Sequence, residues 1–303
     1  MKNLPLLTVL ILFTLACSLL PSPAVGGGLP SPNGEGDGGE GATPLPVPTE
    51  AATTESHAAT SLRAAFFAVH IETSDHSVYS NSVAVEWTML ADMVSAFESR
   101  GHRLTLEFQP QWAEYALEHA EALAQVRDWE AHGHEIAFHH HGLAHPAWDG
   151  FTNLSTKSSH PKYRGDMALA FSLVSQLPSS GLIQTAGMTD EDTDWPAGVI
   201  YATGGQGMSG GEVLSTPHAA VYNGQAVTEI SYQAYALTRQ KGQSISLAEI
   251  ESALQTARPD EILGLVTHPY DFAANPDAFQ ALFDLLERYG VTLQTVSKIL
   301  ESN

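Results

Sequence analysis

From Arg63 onward the chain alternates short apolar runs with apolar stripes at helical spacing, which lays out a series of strands and helices. Arg63 to Ile71 (RAAFFAVHI) is rich in β-formers and predicts a buried first strand ending at His70, Ile71 and Glu72. Val85, Met89, Met93 and Phe97, with Leu90 and Val94, predict a helix that stops at Gly101. Leu104, Leu106 and Phe108 read as a second strand. Gln111 to Ala131, with Ala116, Ala120, Leu123 and Val126 inward, reads as one helix ended by Gly133. His134 to His141 is the third strand. With a period of two, Glu135, Ala137, His139 and His141 share one face, and Ile136, Phe138 and His140 the other. Strand-helix-strand-helix-strand implies parallel strands with helices outside.

The second half continues the pattern. Gly142 to Gly165 is a long loop, the kind that usually carries function. A helix over Asp166 to Leu177 precedes a strand over Leu182 to Met188, which runs into the acidic stretch Asp190 to Pro196. Val199 to Thr203 is a strand, TGGQGMSGG a loop, and Ala219 to Tyr235 one or two strands about the Asn223-Gly224 turn. Ser246 to Ala257 is a helix and Glu261 to Thr267 a strand ending at His268. Phe279, Leu282, Phe283 and Leu286 mark a further helix, and Val291 to Val296 closes the series. The class is α/β, a (β/α) barrel of seven or eight strands, complete or interrupted, with its functional residues where strands end.

The N-terminus reads differently. An apolar run from Leu4 to Leu15, too short for a confident membrane span, ends at Ala16-Cys17, so residues 1–17 are expected to be a secretory signal. Cys17 is the only cysteine, which rules out an intramolecular disulfide, and its place resembles the lipidation site of bacterial lipoproteins. Thr14-Leu15-Ala16-Cys17 departs from the usual pattern, which prefers leucine three residues before the cysteine, and a plain signal peptide is the alternative. The protein is expected at the outer face of a bacterial membrane as a lipoprotein, or else secreted. Residues 18–62, rich in Gly, Pro, Ser, Thr and Ala, cannot bury enough apolar surface to order and are expected to be a tether, leaving 63–303 as one folded domain. A formal net charge of -21 excludes a general nucleic-acid binder.

GHEIAFHHHGLAHP, Gly133 to Pro146, holds five histidines. Ile136 and Phe138 bury the strand, which argues against a solvated surface tract. Two imidazoles two residues apart start a divalent-ion site. In a parallel barrel His70 and Glu72, His139 and His141, and His268 converge on one mouth. A carboxylate with several imidazoles suits Zn²⁺, with Co²⁺, Fe²⁺ and Ni²⁺ also open, and points to metal-assisted hydrolysis.

Four segments in order resemble the polysaccharide deacetylases with a NodB-homology domain, carbohydrate esterase family four in the widest sense. They are FAVHIETSD, GHEIAFHHHGLAHP, DTDWP, and LGLVTHPYDF with VTLQTVSKIL. The resemblance implies a metal held by one carboxylate and two histidines, hydrolysing an acetamide or related amide. Glu72 matches the metal carboxylate and His268 the general acid. His70 stands where the family has its catalytic-base aspartate and is either base or ligand. His139 and His141 fit one branch and His141 and His145 another; strand alternation favours the first, with His145 a third ligand or substrate contact. Asp194 and Trp195 either position the base and line the sugar site or belong to a solvated acidic loop. Trp148 and Phe151 either stack on sugar or anchor packing, and Arg164 either orients a catalytic carboxylate or simply begins a helix. The expected function is removal of an acetyl or similar acyl group from an N-acetylated glycan or small amide at the cell surface. A zinc-binding solute receptor and a catalytically inactive glycan-binding homologue are the other readings.

Overall fold

The computed structural model describes residues 60–72, 79–188, 192–204, 213–238 and 243–302. The expected leader with Cys17, nearly all of the tether and most of the Gly-rich run after Thr203 lie outside the described residues. In chain order come β1 (Ala64–Ile71), α1 (Tyr79–Glu98), β2 (Thr105–Phe108), α2 (Pro110–Glu118), α3 (Ala120–Ala131), β3 (Glu135–His140), α4 (Met167–Val174) and β4 (Thr185–Met188). Then follow β5 (Tyr201–Gly204), β6 (Leu214–Ser215), β7 (His218–Tyr222), β8 (Gln225–Ser231), β9 (Gln233–Ala234) and α5 (Leu247–Thr256). The last are β10 (Ile262–Thr267), α6 (Pro269–Ala274), α7 (Pro276–Arg288), β11 (Leu293–Gln294) and α8 (Val296–Glu301).

The strands β10, β1, β2, β3, β4, β5 and β8 lie side by side in that order, every neighbouring pair parallel. The chain then passes through Tyr232 into β9, which pairs with β10 through Gln233 and Ala234, so the sheet curls back on itself. This is the expected α/β barrel. Antiparallel β7 flanks β8 through a hairpin whose Asn223 and Gly224 take φ of 47° and 74°, the conformation an Asn-Gly hairpin turn needs.

Two apolar layers follow from strand alternation. Inside the curl, Phe66 and Ala68 of β1 meet Tyr201, Ile230, Tyr232 and Val266, closed below by Val296, Ile299 and Leu300 of α8. Outside, Phe67 packs on Phe97 of α1 (5.1 Å between ring centroids), and Phe97 on Phe283 of α7 (4.8 Å).

Three expectations about these elements need correction. Val85 is 62% exposed, because Val83 and Trp87 take the core positions of that turn. Gln111 to Ala131 is two helices, not one. His119 is extended (φ -124°, ψ 102°), which re-phases the stripe so that Ala120 is exposed while Ala122, Val126 and Trp129 are buried. Val291 to Val296 supplies only the two-residue β11 before α8 begins.

Candidate metal centre

Period two along β1 puts His70 inside the curl after Phe66 and Ala68, and Glu72 two residues further at its rim. β3 offers His139 inside and His141 just past its end, and β10 runs into His268, the residue before α6. All of these strands are parallel and end on one side, so the side chains meet.

Glu72 is buried and uses its two oxygens differently. Oε2 lies 2.7 Å from His141 Nε2 and 3.5 Å from His139 Nε2. Oε1 faces His268 Nε2 at 3.4 Å and accepts from the Tyr270 hydroxyl at 3.5 Å. Burial by itself would raise the Glu72 pKa. The charge of His141, hydrogen bonding with His139 and His141, and the charge of His268 outweigh it and hold the carboxyl well below its usual range. His139 is pushed down to about 3, by burial first and by neighbouring His70 second, and is neutral. Its Nδ1–H donates to the Gly187 carbonyl at 3.0 Å, which leaves Nε2 as a lone pair aimed toward Glu72. His141 is held in the same way, its Nδ1 donating to the Ala147 carbonyl at 3.3 Å. Burial works against charge on His141, but Glu72 and then Asp149 raise its pKa.

Glu72, His139 and His141 bring one donor atom each within 4.8 Å of one another. Glu72 Oε2 and His139 Nε2 are fully buried without a well-aligned hydrogen bond, their near neighbours being each other and, 2.7 Å from Oε2, His141 Nε2. Buried polar atoms are almost always paired, and a carboxylate oxygen beside an imidazole lone pair is a donor set for a divalent cation. The residues present fit such an ion.

His145 is half-buried; its ring packs 4.2 Å from that of His141, and its Nδ1 accepts from Ala147 N. It is not among the grouped donors. His70 stacks on His139 at 4.1 Å and accepts or donates at Nε2 with the Tyr232 hydroxyl at 3.2 Å. Burial, then the charge of His268, push His70 down to about 3.

Two carboxylates here escaped sequence reasoning. Glu107, paired with His70 in the parallel register, has Oε2 3.2 Å from His70 Nε2 and 3.7 Å from His139 Nδ1. Burial raises it to about 7 against the pull of His139 and Thr203. The signal was in LTLEF, where Leu104, Leu106 and Phe108 claim the outer face and leave a glutamate for the inside. The other is Asp271, which accepts from His268 Nδ1 at 2.7 Å and is itself anchored by Thr238. An acid three residues after a histidine that opens a helix was the available sign.

His140 turns to the opposite side of β3, as alternation predicts. Its Nδ1 lies 2.8 Å from Asp149 Oδ2 and its Nε2 3.7 Å from Asp194 Oδ2. Burial alone would lower its pKa, but the two aspartates raise it to about 9. Asp194 is buried and accepts from Thr152 Oγ1 and Asn153 N, so it belongs with His140, neither in solvent nor beside Glu72. The tryptophans need correction as sugar platforms. Trp148 is 4% exposed, with Nε1 donating to the Phe151 carbonyl, and Trp195 is 3% exposed, with Nε1 donating to the Val199 carbonyl and its ring on Tyr222. Both rings are consumed by packing. Arg164 pairs with Glu114 and lies over Phe151, so it orients none of these carboxylates.

No family model matches the chain, and no curated protein does. Solved structures do. A putative polysaccharide deacetylase from Mycobacterium smegmatis superposes with a TM-score of 0.50 at 14% identity, covering 86% of this chain and 93% of that one. A 4-alpha-glucanotransferase from Thermococcus litoralis gives 0.49 at 12% identity over 79% of this chain, which spans only 38% of the glucanotransferase's length. A CE4 family pseudoenzyme from Bacillus anthracis gives 0.43 at 9% identity, covering 79% of this chain and 66% of that one. The likeness to the mycobacterial protein establishes a shared fold, the one that the motif order implies.

Proposed function

We propose that this chain is a zinc-dependent hydrolase that removes an acetyl or similar acyl group from an amine, with N-acetylated glycans first among its substrates. The observation that carries this reading is the convergence of a buried carboxylate oxygen, Glu72 Oε2, with the Nε2 atoms of His139 and His141 at 3.5 and 2.7 Å in a barrel of deacetylase type. Glu72, His139 and His141 would hold the ion. When bound, zinc supplies Lewis acidity, lowering the pKa of water and polarising an amide carbonyl.

The other side chains divide the proton work. His70 is neutral and takes the proton of the attacking water. His268 has Nδ1 committed to Asp271, so its Nε2 faces the Glu72 side and delivers a proton to the departing amine. Water adds across the amide, and carboxylate and amine result. The apolar run ending at Cys17 supports placement at the outer face of a membrane, where such glycans lie. A solute receptor needs two lobes, and the described strands form one curled sheet instead.

Acetate release from chitooligosaccharides and peptidoglycan fragments, with zinc-loaded and chelated protein, tests the reading. The expected result is one zinc per chain and release that stops with chelator. Stoichiometric zinc or glycan binding without release would replace it with a binding function.

A further inference from the structure

Tyr232 stands where the fold changes partner. It follows β8, its backbone N–H donates to Gly204 O at 3.1 Å on the β5 side, and the next two residues pair with β10. The closure of the sheet therefore fixes its backbone and turns its ring inside. There the ring meets His70 edge-on, 5.5 Å between centroids at 76°, and the hydroxyl lies 3.2 Å from His70 Nε2. Glu107 Oε2 is 3.2 Å from the same nitrogen, fully buried and without a well-aligned hydrogen bond. Thr203 Oγ1 holds the other Glu107 oxygen at 2.6 Å. Room for this carboxylate exists only because residue 187 is glycine: a Cβ there would sit 2.0 Å from Oε2.

His70 is stacked flat on His139, which fixes its ring plane but not which nitrogen carries the hydrogen. The groups at its Nε2 edge decide that. A carboxylate oxygen at that edge favours a hydrogen on Nε2, and a phenol can accept it. A buried carboxylate with one oxygen lacking a well-aligned hydrogen bond is costly, and an apolar residue of that size would not be, so a function for Glu107 is called for.

We propose that Tyr232 is the positioning residue of His70: with the Glu107 carboxyl at the same edge, the phenol oxygen accepts the Nε2–H and leaves Nδ1 as the lone pair that takes the water's proton. This rests on the hydrolase reading above, in which the proton passes from water to His70 while the C–N bond breaks with a proton from His268.

The test uses the zinc-loaded full chain with ¹⁵N-labelled histidine. In the wild type, His70 should give the shifts of a neutral ring protonated at Nε2. Tyr232→Phe keeps the edge-on ring and removes only the hydroxyl; it should turn His70 into a tautomer mixture and lower kcat about 10- to 100-fold at unchanged KM and zinc content. Glu107→Gln, which offers an amide N–H to Nε2, should reverse the tautomer. A wild-type ring protonated at Nδ1, or a Tyr232→Phe protein with wild-type shifts and kcat, would overturn the proposal. A wild type that binds zinc and hydrolyses nothing sinks the hydrolase reading instead, and the tautomer measurement still decides the role of Tyr232.

Discussion

His139 and His140 are neighbours in sequence, both without exposed surface, and they leave β3 on opposite sides toward carboxylates. On the inner side His139 is neutral and its Nε2 faces Glu72 Oε2, which a second imidazole, that of His141, also approaches. On the outer side His140 is an imidazolium between Asp149 and Asp194, and those aspartates are spent further on His141 N, Phe151 N, Thr152 and Asn153. The same residue types thus make a candidate metal centre and a clamp. A histidine–carboxylate contact becomes a candidate ligand set when burial strips the imidazole of charge and leaves lone pairs without hydrogens. It becomes a structural ion pair when a second acid restores the charge and the backbone uses up the remaining oxygens.

Isosteric substitutions separate the two sides most sharply. Glu72→Gln should abolish stoichiometric zinc binding and lower kcat/KM by roughly 10³-fold, the scale of losing a principal source of transition-state stabilisation, with the metal-free fold retained. Metal analysis and circular dichroism on the same sample read both halves, and an unfolded Glu72→Gln protein would erase the distinction. Asp149→Asn should do the reverse, costing about 3 kcal/mol in denaturant unfolding because it leaves His140 with one distant acid. An unchanged midpoint would mean that the outer cluster clamps nothing.

The pH dependence divides next. The His140 pKa is raised above its unfolded value, so its stabilisation is complete below about pH 6.5 and is lost as pH rises through about 9. The pKa values of His70 and His139 are lowered to about 3, so the native state binds fewer protons than the unfolded chain and stability falls as pH drops from about 6.5. Thermal midpoints of metal-free protein should decline on both limbs, and Asp149→Asn should flatten the alkaline one; an alkaline limb unaltered by that change would assign it elsewhere. The smallest effect concerns the tryptophan that borders the clamp. Trp148→Phe removes one hydrogen bond, to the Phe151 carbonyl, and should cost about 1 kcal/mol at unchanged KM for glycan. A raised KM would restore Trp148 as a sugar contact.

Much of this was legible from periodicity. That the strands are parallel and that His139 and His140 face opposite ways come from alternation alone, and the convergence of Glu72, His139, His141 and His268 follows once the strands are parallel. The sequence was silent where a contact depends on closure or on a change of phase. Tyr232 reaches His70 only because β9 leaves one neighbour for another. Ala120 lost its place in the core because His119 is extended, and no spacing shows that. Glu107 was hidden in plain alternation, its strand being read for the apolar face only. Asp194 sat in an acidic run whose composition suggests solvent, and its burial is set by His140, Thr152 and Asn153 from other segments.

The seam between β8 and β10 is spanned in β9 by two residue pairs, far fewer than join β1 to β10. In a free-energy landscape of local openings, a region so thinly laced should part well before the staves beside it. Tyr232 sits at that seam. Parting it withdraws the hydroxyl from His70 while Glu72, His139 and His141 stay on intact strands, so in the proposed hydrolase an opening there would uncouple proton handling from ion binding without releasing the ion.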